Sequence, residues 1–379
     1  MSILINLYNQ IAAGPKNISL NLIREILNSE KWNFNCLIIV PNIDEYSALK
    51  QSHRIKLLKL PIFNNVFLKI SFRIYLEIIL IPYLCSKCKI KKILAFGNFL
   101  FSPVRVKKIV LLHHPYIVDD LIFSRLSLAD KIIETLKRIA FRASLHNVHN
   151  AIVQSGYMHS LAIRKWSDQQ HKFQIIPNPI SAKLNKVFIE PIDQLIANRL
   201  ESMNKSVNLL YVSRFYPHKN HQFLLELSRH LNKIGIMHTI TVTVNPEISE
   251  AKLFIGELSD SNVSIINVGE LEQEKLIEHY KKAGLFLFSS RSETFGNPLI
   301  EAMRFALPIV VPSLGYAHSI VGESGTYYQE DSVLACAQKI VGLSKNKQHY
   351  RQKSLESFNQ FKSYPDIEEW LNQYLAMMR

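Results

Sequence analysis

Cysteine is scarce in this chain of 379 residues: there are four, Cys36, Cys85, Cys88 and Cys336. That is too few for a disulfide scaffold and fits a reducing compartment. Cys85 and Cys88 form a lone C-x-x-C. No second Cys/His pair stands at zinc spacing and no thioredoxin-like pattern surrounds it, so the pair reads as incidental. No apolar run reads as a transmembrane helix. The opening MSILINLYNQ lacks the basic region and cleavage site of a secretory signal and runs straight into a strand-like pattern, so a cytoplasmic chain is expected. There is no internal repeat, low-complexity tract, Walker loop, G-x-S-x-G elbow or zincin motif. No helix-turn-helix, RNP or zinc-finger pattern occurs either, so no nucleic-acid partner is expected despite a net charge of +14.

What is present is a globular composition. The chain is 47% hydrophobic and 20% charged, which excludes a disordered polymer, and its length suits two domains. The charge is unevenly placed. Residues 1–185 carry 25 Lys and Arg against 10 Asp and Glu, whereas residues 186–379 carry 20 against 21. The basic excess belongs to the amino-terminal half, which would be drawn to an anionic membrane surface or a phosphate-bearing acceptor. Solubility is the plainer use of the same charge.

The most informative stretch is GLFLFSSRSETFGNPLIEAMRFALPIVV, residues 284–311. Leu285–Phe288 and Pro308–Val311 are short continuous apolar runs, the pattern of parallel strands covered on both faces. Between them Asn297 takes the N-cap position of a helix and Pro298 its first turn. The loop before it lies at the carboxyl end of a strand and at a helix amino terminus, where open α/β sheets bind ligands and backbone N–H groups favour anions. Glu293 in the loop and Glu301 in the helix could both face that crevice and accept hydrogen bonds from sugar hydroxyls. Gly296 would let the backbone come close to a ligand. The structural alternative is a solvated Glu293 and a Glu301 that serves the helix dipole.

Similar strand–loop–helix units recur along the chain and predict an α/β fold. Residues 3–8, 35–40, 54–60, 93–96, 109–112, 151–154 and 172–176 read as strands of a first domain. Residues 207–212, 239–244, 264–267, 285–288 and 308–311 read as strands of a second. The loop Asn9–Pro15 holds Ala13-Gly14, which a tight turn at Gly14 would also explain. Residues 62–84 read as a long amphipathic helix with Lys69, Arg73 and Glu77 along one face. Core packing is its default role, and with Lys87, Lys89, Lys91 and Lys92 beyond it a membrane-surface role is the alternative. His113 and His114 follow the strand 109–112 and point toward a ligand crevice, or else are surface histidines. Arg214 and Lys219 follow the strand 207–212, where two cations beside a helix start suit a diphosphate.

The run Glu293-Thr-Phe-Gly-Asn-Pro-Leu-Ile-Glu301 resembles the E-x7-E signature of the GT4 family, retaining glycosyltransferases with the GT-B fold of two Rossmann-like domains facing a cleft. Arg214 and Lys219 are similar to its R-x4-K pair. The resemblance spans most of the chain, is strongest from about 207 to 330, and is weak in the first half. It implies that Glu293 contacts the donor sugar, Glu301 the ribose, and the backbone at Phe295, Gly296 and Asn297 the sugar and diphosphate. It also implies that Val268 and Gly269 lie near the nucleotide base. His113 fits the register of the family's active-site histidine best, with His114 as competitor. Two departures stand out: Ala13-Gly14 replaces a Gly-Gly pair, and Tyr316 replaces the second glycine of another.

The domains implied are 1–185 for the acceptor, a linker at 186–206, 207–360 for the donor, and a terminal helix, 361–379, crossing back to the first domain. The function implied is retaining transfer of a sugar from a UDP- or GDP-linked donor to a glycan or lipid-linked acceptor, in bacterial surface-polysaccharide synthesis. No Asp-x-Asp occurs, so neither a metal nor any cofactor beyond the donor substrate is expected. A cytoplasmic chain, peripheral at the inner membrane, would suit such an acceptor. A nucleotide-sugar-binding protein or a GT-B epimerase without transfer activity is the alternative.

Overall fold

The structure is a computed structural model that describes all residues except 1, 12, 30, 31, 33, 50, 181, 188, 189 and 379. Ala12, in the loop read before the first helix, is thus outside the described residues. The chain divides into two compact units, Met1–Pro179 with Asp366–Arg379, and Ile180–Pro365.

Unit 1 is built on seven parallel strands: β1 Ser2–Asn6, β2 Asn35–Pro41, β3 Ile55–Leu60, β4 Ile90–Ala95, β5 Lys107–Leu111, β6 Asn150–Val153 and β7 Phe173–Ile175. Their order is β3-β2-β1-β4-β5-β6-β7. The side-chain period of two splits each strand between two cores. Leu4 joins a cluster with Leu76, Leu84, Phe141 and Leu145 on one face. Ile3 and Ile5 join Leu22, Ile26, Trp370 and Tyr374 on the other. The helix Ile367–Met378 therefore completes the second core although it comes last in the chain.

Unit 2 has six parallel strands: β8 Val207–Tyr211, β9 His238–Val242, β10 Ile265–Asn267, β11 Leu285–Leu287, β12 Ile309–Pro312 and β13 Gly325–Tyr328. Their order is β10-β9-β8-β11-β12-β13. β11 and β12 are buried at every residue, as continuous apolar runs require. In both units the strand order reverses direction beside the first strand, between β1 and β4 and between β8 and β11. Ligands of open α/β sheets bind at such points.

Several features differ from the sequence reading. The 186–206 segment, read as a linker with a short helix near 191–202, does hold a helix, Ile192–Met203, but that helix packs into unit 2. There the buried Arg199 guanidinium donates to the carbonyls of Tyr280 at 2.9 Å and Phe305 at 2.8 Å. β13 and the helix Gly315–Val321 were not anticipated. The first domain's long helix is three segments, Val66–Tyr75, a π-helical turn Leu76–Leu80, and Ile81–Lys87. The wide turn ends two residues before Pro82, which lacks an N–H and would clash with a carbonyl four residues back in a regular helix. Gly14 is not in a turn but in the first turn of the helix Ala13–Asn28, with open space where a Cβ would stand.

Candidate functional site

The carboxyl ends of β8 and β11, the two strands at the reversal of unit 2, bring the sequence candidates together. After β8 the chain runs through a 3-10 turn, Pro217–Lys219, and Asn220 takes left-handed geometry at φ 57°. After β11 the loop lies against that turn. Ser289 Oγ donates to the carbonyls of Lys219 and Asn220, both at 3.2 Å, and the Arg291 amide donates to His218 O at 2.7 Å. The Tyr211 hydroxyl, beneath, donates to Lys219 O.

This scaffold brings the Lys219 ammonium onto the Glu293 carboxylate. Both side chains are nearly buried, and Phe288 presents its ring 5.3 Å from the ammonium. A buried carboxylate needs such a partner, because its hydration is lost. Arg214 lies apart from the pair: it is exposed, with its guanidinium 5.9 Å over the Tyr216 ring.

Beyond Glu293, Gly296 has φ 75° and serves as the cap residue of the helix Asn297–Arg304. Asn297 is therefore the first helical residue rather than the N-cap, a correction of one position. A chain that must turn left-handed beside Leu299 selects glycine: a Cβ at 296 would stand 3.0 Å from Leu299 Cδ1. Phe295 is buried against Tyr364, so only its backbone can serve a ligand. Glu301 accepts a 2.8 Å hydrogen bond from the Tyr280 hydroxyl. Burial pushes its carboxyl up to about 7, against the pull of that hydrogen bond.

Val268 and Gly269 form the turn after β10. Asn267 shapes it, accepting from the amides of Val244 at 2.9 Å and Gly269 at 3.2 Å. Tyr316, standing where a glycine was expected, is buried and its hydroxyl donates to Ser290 O. It ties the helix Gly315–Val321 to the loop after β11. Among the described residues, no group of three or more His, Cys, Asp or Glu side chains could hold a metal ion.

The two histidines lie in unit 1, at the carboxyl end of β5. Asn98, itself left-handed at φ 63°, accepts the His113 amide at 2.8 Å. The His113 ring is driven down to about 4 by burial and by neighbouring His114, so it is neutral at pH 7. His114 is held by Glu134 at 2.7 Å, and Lys137 holds the other Glu134 oxygen at 2.7 Å. Gly14 contributes no contact to this group.

Sequence reasoning missed Tyr280, Ser289, Asn267, Asn98 and Glu134. Each is a polar residue whose role comes from a neighbour distant in sequence. Only Ser289 carried a signal, by lying in the loop that follows the strand 285–288.

Residues 206–346 match the family model described as glycosyl transferases group 1. Sulfoquinovosyl transferase SQD2 of Arabidopsis thaliana is 25% identical over 170 residues, 38% of this chain. The match takes in 33% of that protein, so the chain spans about a third of its length. Sucrose-phosphate synthase from Thermosynechococcus elongatus superposes with a TM-score of 0.79 at 17% identity, over 100% of this chain and 98% of that one. HepE of Anabaena, in complex with UDP and glucose, superposes at 0.70 and 14%, over 100% and 99%. WaaG, a glycosyltransferase involved in lipopolysaccharide biosynthesis, does so at 0.68 and 11%, over 100% and 99%. The fold is thus GT-B, two parallel α/β units. Within it, unit 2 carries a segment of the group 1 glycosyltransferase type, like that of the GT4 enzymes.

Proposed function

We propose that the chain transfers a sugar, with retention, from a nucleotide-diphosphate sugar to a glycan or lipid-linked acceptor. The observation that carries this reading is the Lys219–Glu293 pair at the reversal point of unit 2, beside the head of the helix Asn297–Arg304, inside the segment matched by the family model. HepE bound to UDP-glucose supports a UDP-linked donor. WaaG, by its part in lipopolysaccharide biosynthesis, supports a cell-surface glycan as the product class.

In the reaction the bond from the sugar C1 to the diphosphate oxygen breaks, and the acceptor oxygen bonds to C1 on the same face. Negative charge grows on the departing diphosphate. Lys219, Arg214 and the amino-terminal end of the helix dipole stabilise it without a metal. The acceptor's proton passes to the leaving phosphate. Glu293 accepts from sugar hydroxyls as Lys219 turns to phosphate, and Glu301, held by the Tyr280 hydroxyl, accepts from the ribose. Within unit 1, neutral His113 would give an acceptor a hydrogen bond rather than a charge. No cofactor other than the donor substrate enters. The protein works in the cytoplasm, peripheral to the membrane that carries its acceptor.

The test is incubation with UDP- and GDP-sugars in excess EDTA, with and without lipid-linked acceptor. Nucleoside diphosphate release that rises with acceptor, and survives chelation, is expected. Donor binding without turnover would favour a binding protein, and interconversion of the sugar would favour an epimerase.

A further inference from the structure

The helix Leu128–Asn147 in unit 1 is turned against the usual pattern of a surface helix. Two of its charged residues face inward while Asp130 stays exposed: Glu134 is buried, and the Arg138 guanidinium donates to the carbonyls of Tyr116 and Asp119 at 2.9 and 3.0 Å. Its outward stripe is Leu128, Ile132, Leu136 and Ile139, at helical spacing, with Leu128 82% and Ile132 66% exposed. A helix facing only water carries the reverse arrangement.

The helix 66–87 repeats the anomaly. Val66, Phe67, Ile70, Ile74 and Ile78 are all exposed, Phe67 at 76%. Its one acidic residue, Glu77, is buried and paired with Arg73 at 2.8 Å. The two helices cover the same face of the sheet, since Leu76 and Leu84 share a core cluster with Phe141 and Leu145. They also hold one segment between them. Glu77 accepts the Ser102 amide at 3.2 Å, and Ser144 accepts the Leu100 amide at 2.8 Å. Phe101, between these anchors, lines an apolar depression of about 510 Å3 with Ile70, Ile74 and Ile78. Lys69 and Lys87 stand exposed on the helix 66–87, and Lys89 and Lys91 just after it. Lys92 does not belong to that set: it is buried and its ammonium donates to Met378 O.

We infer that this two-helix face docks on an anionic lipid bilayer and carries its apolar side chains into the boundary between headgroups and acyl chains. Apolar contact at that depth with cations among the phosphates is how interfacial helices bind. Among the described residues no helix is long and apolar enough to cross the membrane, so the face lies on the bilayer. Helix Leu128–Asn147 also carries Glu134, the partner of His114. One helix therefore links the membrane face to the histidine loop, which suits an acceptor whose anchor stays in the lipid. This deepens the lipid-linked reading of the acceptor and rests on it for that last point alone.

Sedimentation with phosphatidylglycerol–phosphatidylethanolamine vesicles tests it. The full chain should bind, bind phosphatidylcholine vesicles at least about tenfold less, and keep part of its binding in high salt, because apolar insertion is not screened. The double variant I74E/L136E should lose at least about tenfold in vesicle affinity, with its thermal midpoint and nucleotide binding unchanged, because both positions are exposed. A second variant, F67W, reads insertion directly. The native Trp32, Trp166 and Trp370 are buried, so a blue shift on adding vesicles, and quenching by brominated lipid, would come from position 67. Equal binding by I74E/L136E and the parent would overturn the proposal. So would a chain that ignores anionic vesicles at low salt, or one that instead forms dimers disrupted by the same double variant. Nucleotide binding belongs to unit 2 and is read separately, so failure here leaves the transferase reading standing.

Discussion

Removing the Lys219 ammonium would leave Glu293 in a nearly buried site without its counter-charge. Lys219→Ala should therefore cost stability, about 3–5 kcal/mol for a broken buried pair, as well as transfer. Arg214 carries no such burden, being exposed. Arg214→Ala should keep its thermal midpoint and lower turnover by at least about tenfold, or about 1.4 kcal/mol of transition-state stabilisation. Unchanged turnover in that variant would remove Arg214 from the diphosphate site. Glu301 gives a pH signature. Its carboxyl is raised by burial from an ordinary 4.5 to about 7, so the fold favours the protonated form. That stabilisation is complete below the ordinary value and is lost as pH rises through about 7. Melting curves should show a midpoint falling over that window, and Glu301→Gln should flatten it. Nucleotide binding should carry the opposite sign, since ribose hydroxyls need an ionised acceptor.

At the scale of elements, the helix Asn297–Arg304 depends on the left-handed residue before it. Gly296→Ala would force a Cβ into φ 75° and against Leu299. The expected loss is about 1–3 kcal/mol, read as a lower urea midpoint, together with weaker nucleotide binding as the helix head shifts. An unchanged midpoint would mean the loop adjusts freely and does not hold the helix start. The β8 and β11 loops form one unit through Ser289 and the Arg291 amide, and the buried Tyr316 hydroxyl ties the helix after β12 to the second of them. This is why the Lys219 and Glu293 side chains, 74 residues apart, meet.

The whole molecule depends on its last helix. Trp370, Leu371, Tyr374, Leu375 and Met378 are almost fully buried in the core of unit 1 that also holds β1 and the helix Ala13–Asn28. Each such side chain contributes about 1.5–3 kcal/mol by burial, and a domain's net stability is only about 5–15 kcal/mol. A chain ending at residue 365 should lose the cooperative melting of unit 1 and precipitate on expression. A soluble truncated chain with the parent's circular dichroism and melting curve would show the helix to be dispensable.

Strand positions other than β13, and the parallel α/β class, were legible because they rest on local facts, apolar runs and their polar ends, and the Glu293–Glu301 and Arg214–Lys219 spacings could be read as motifs. Tertiary structure alone decided which charges pair. The sequence reading set Lys92 among surface lysines, yet β4 carries it inside. It set Asn297 as cap where Gly296 turns the chain. It ranked His113 ahead of His114 by register alone, while the structure separates them by partner: Glu134, from another helix, engages the second. Most telling is the helix Leu128–Asn147, whose periodicity shows that one face is apolar but not which way that face turns. Orientation follows from what the neighbouring elements offer, here carbonyls that bind arginine, and no local pattern of residues contains that information.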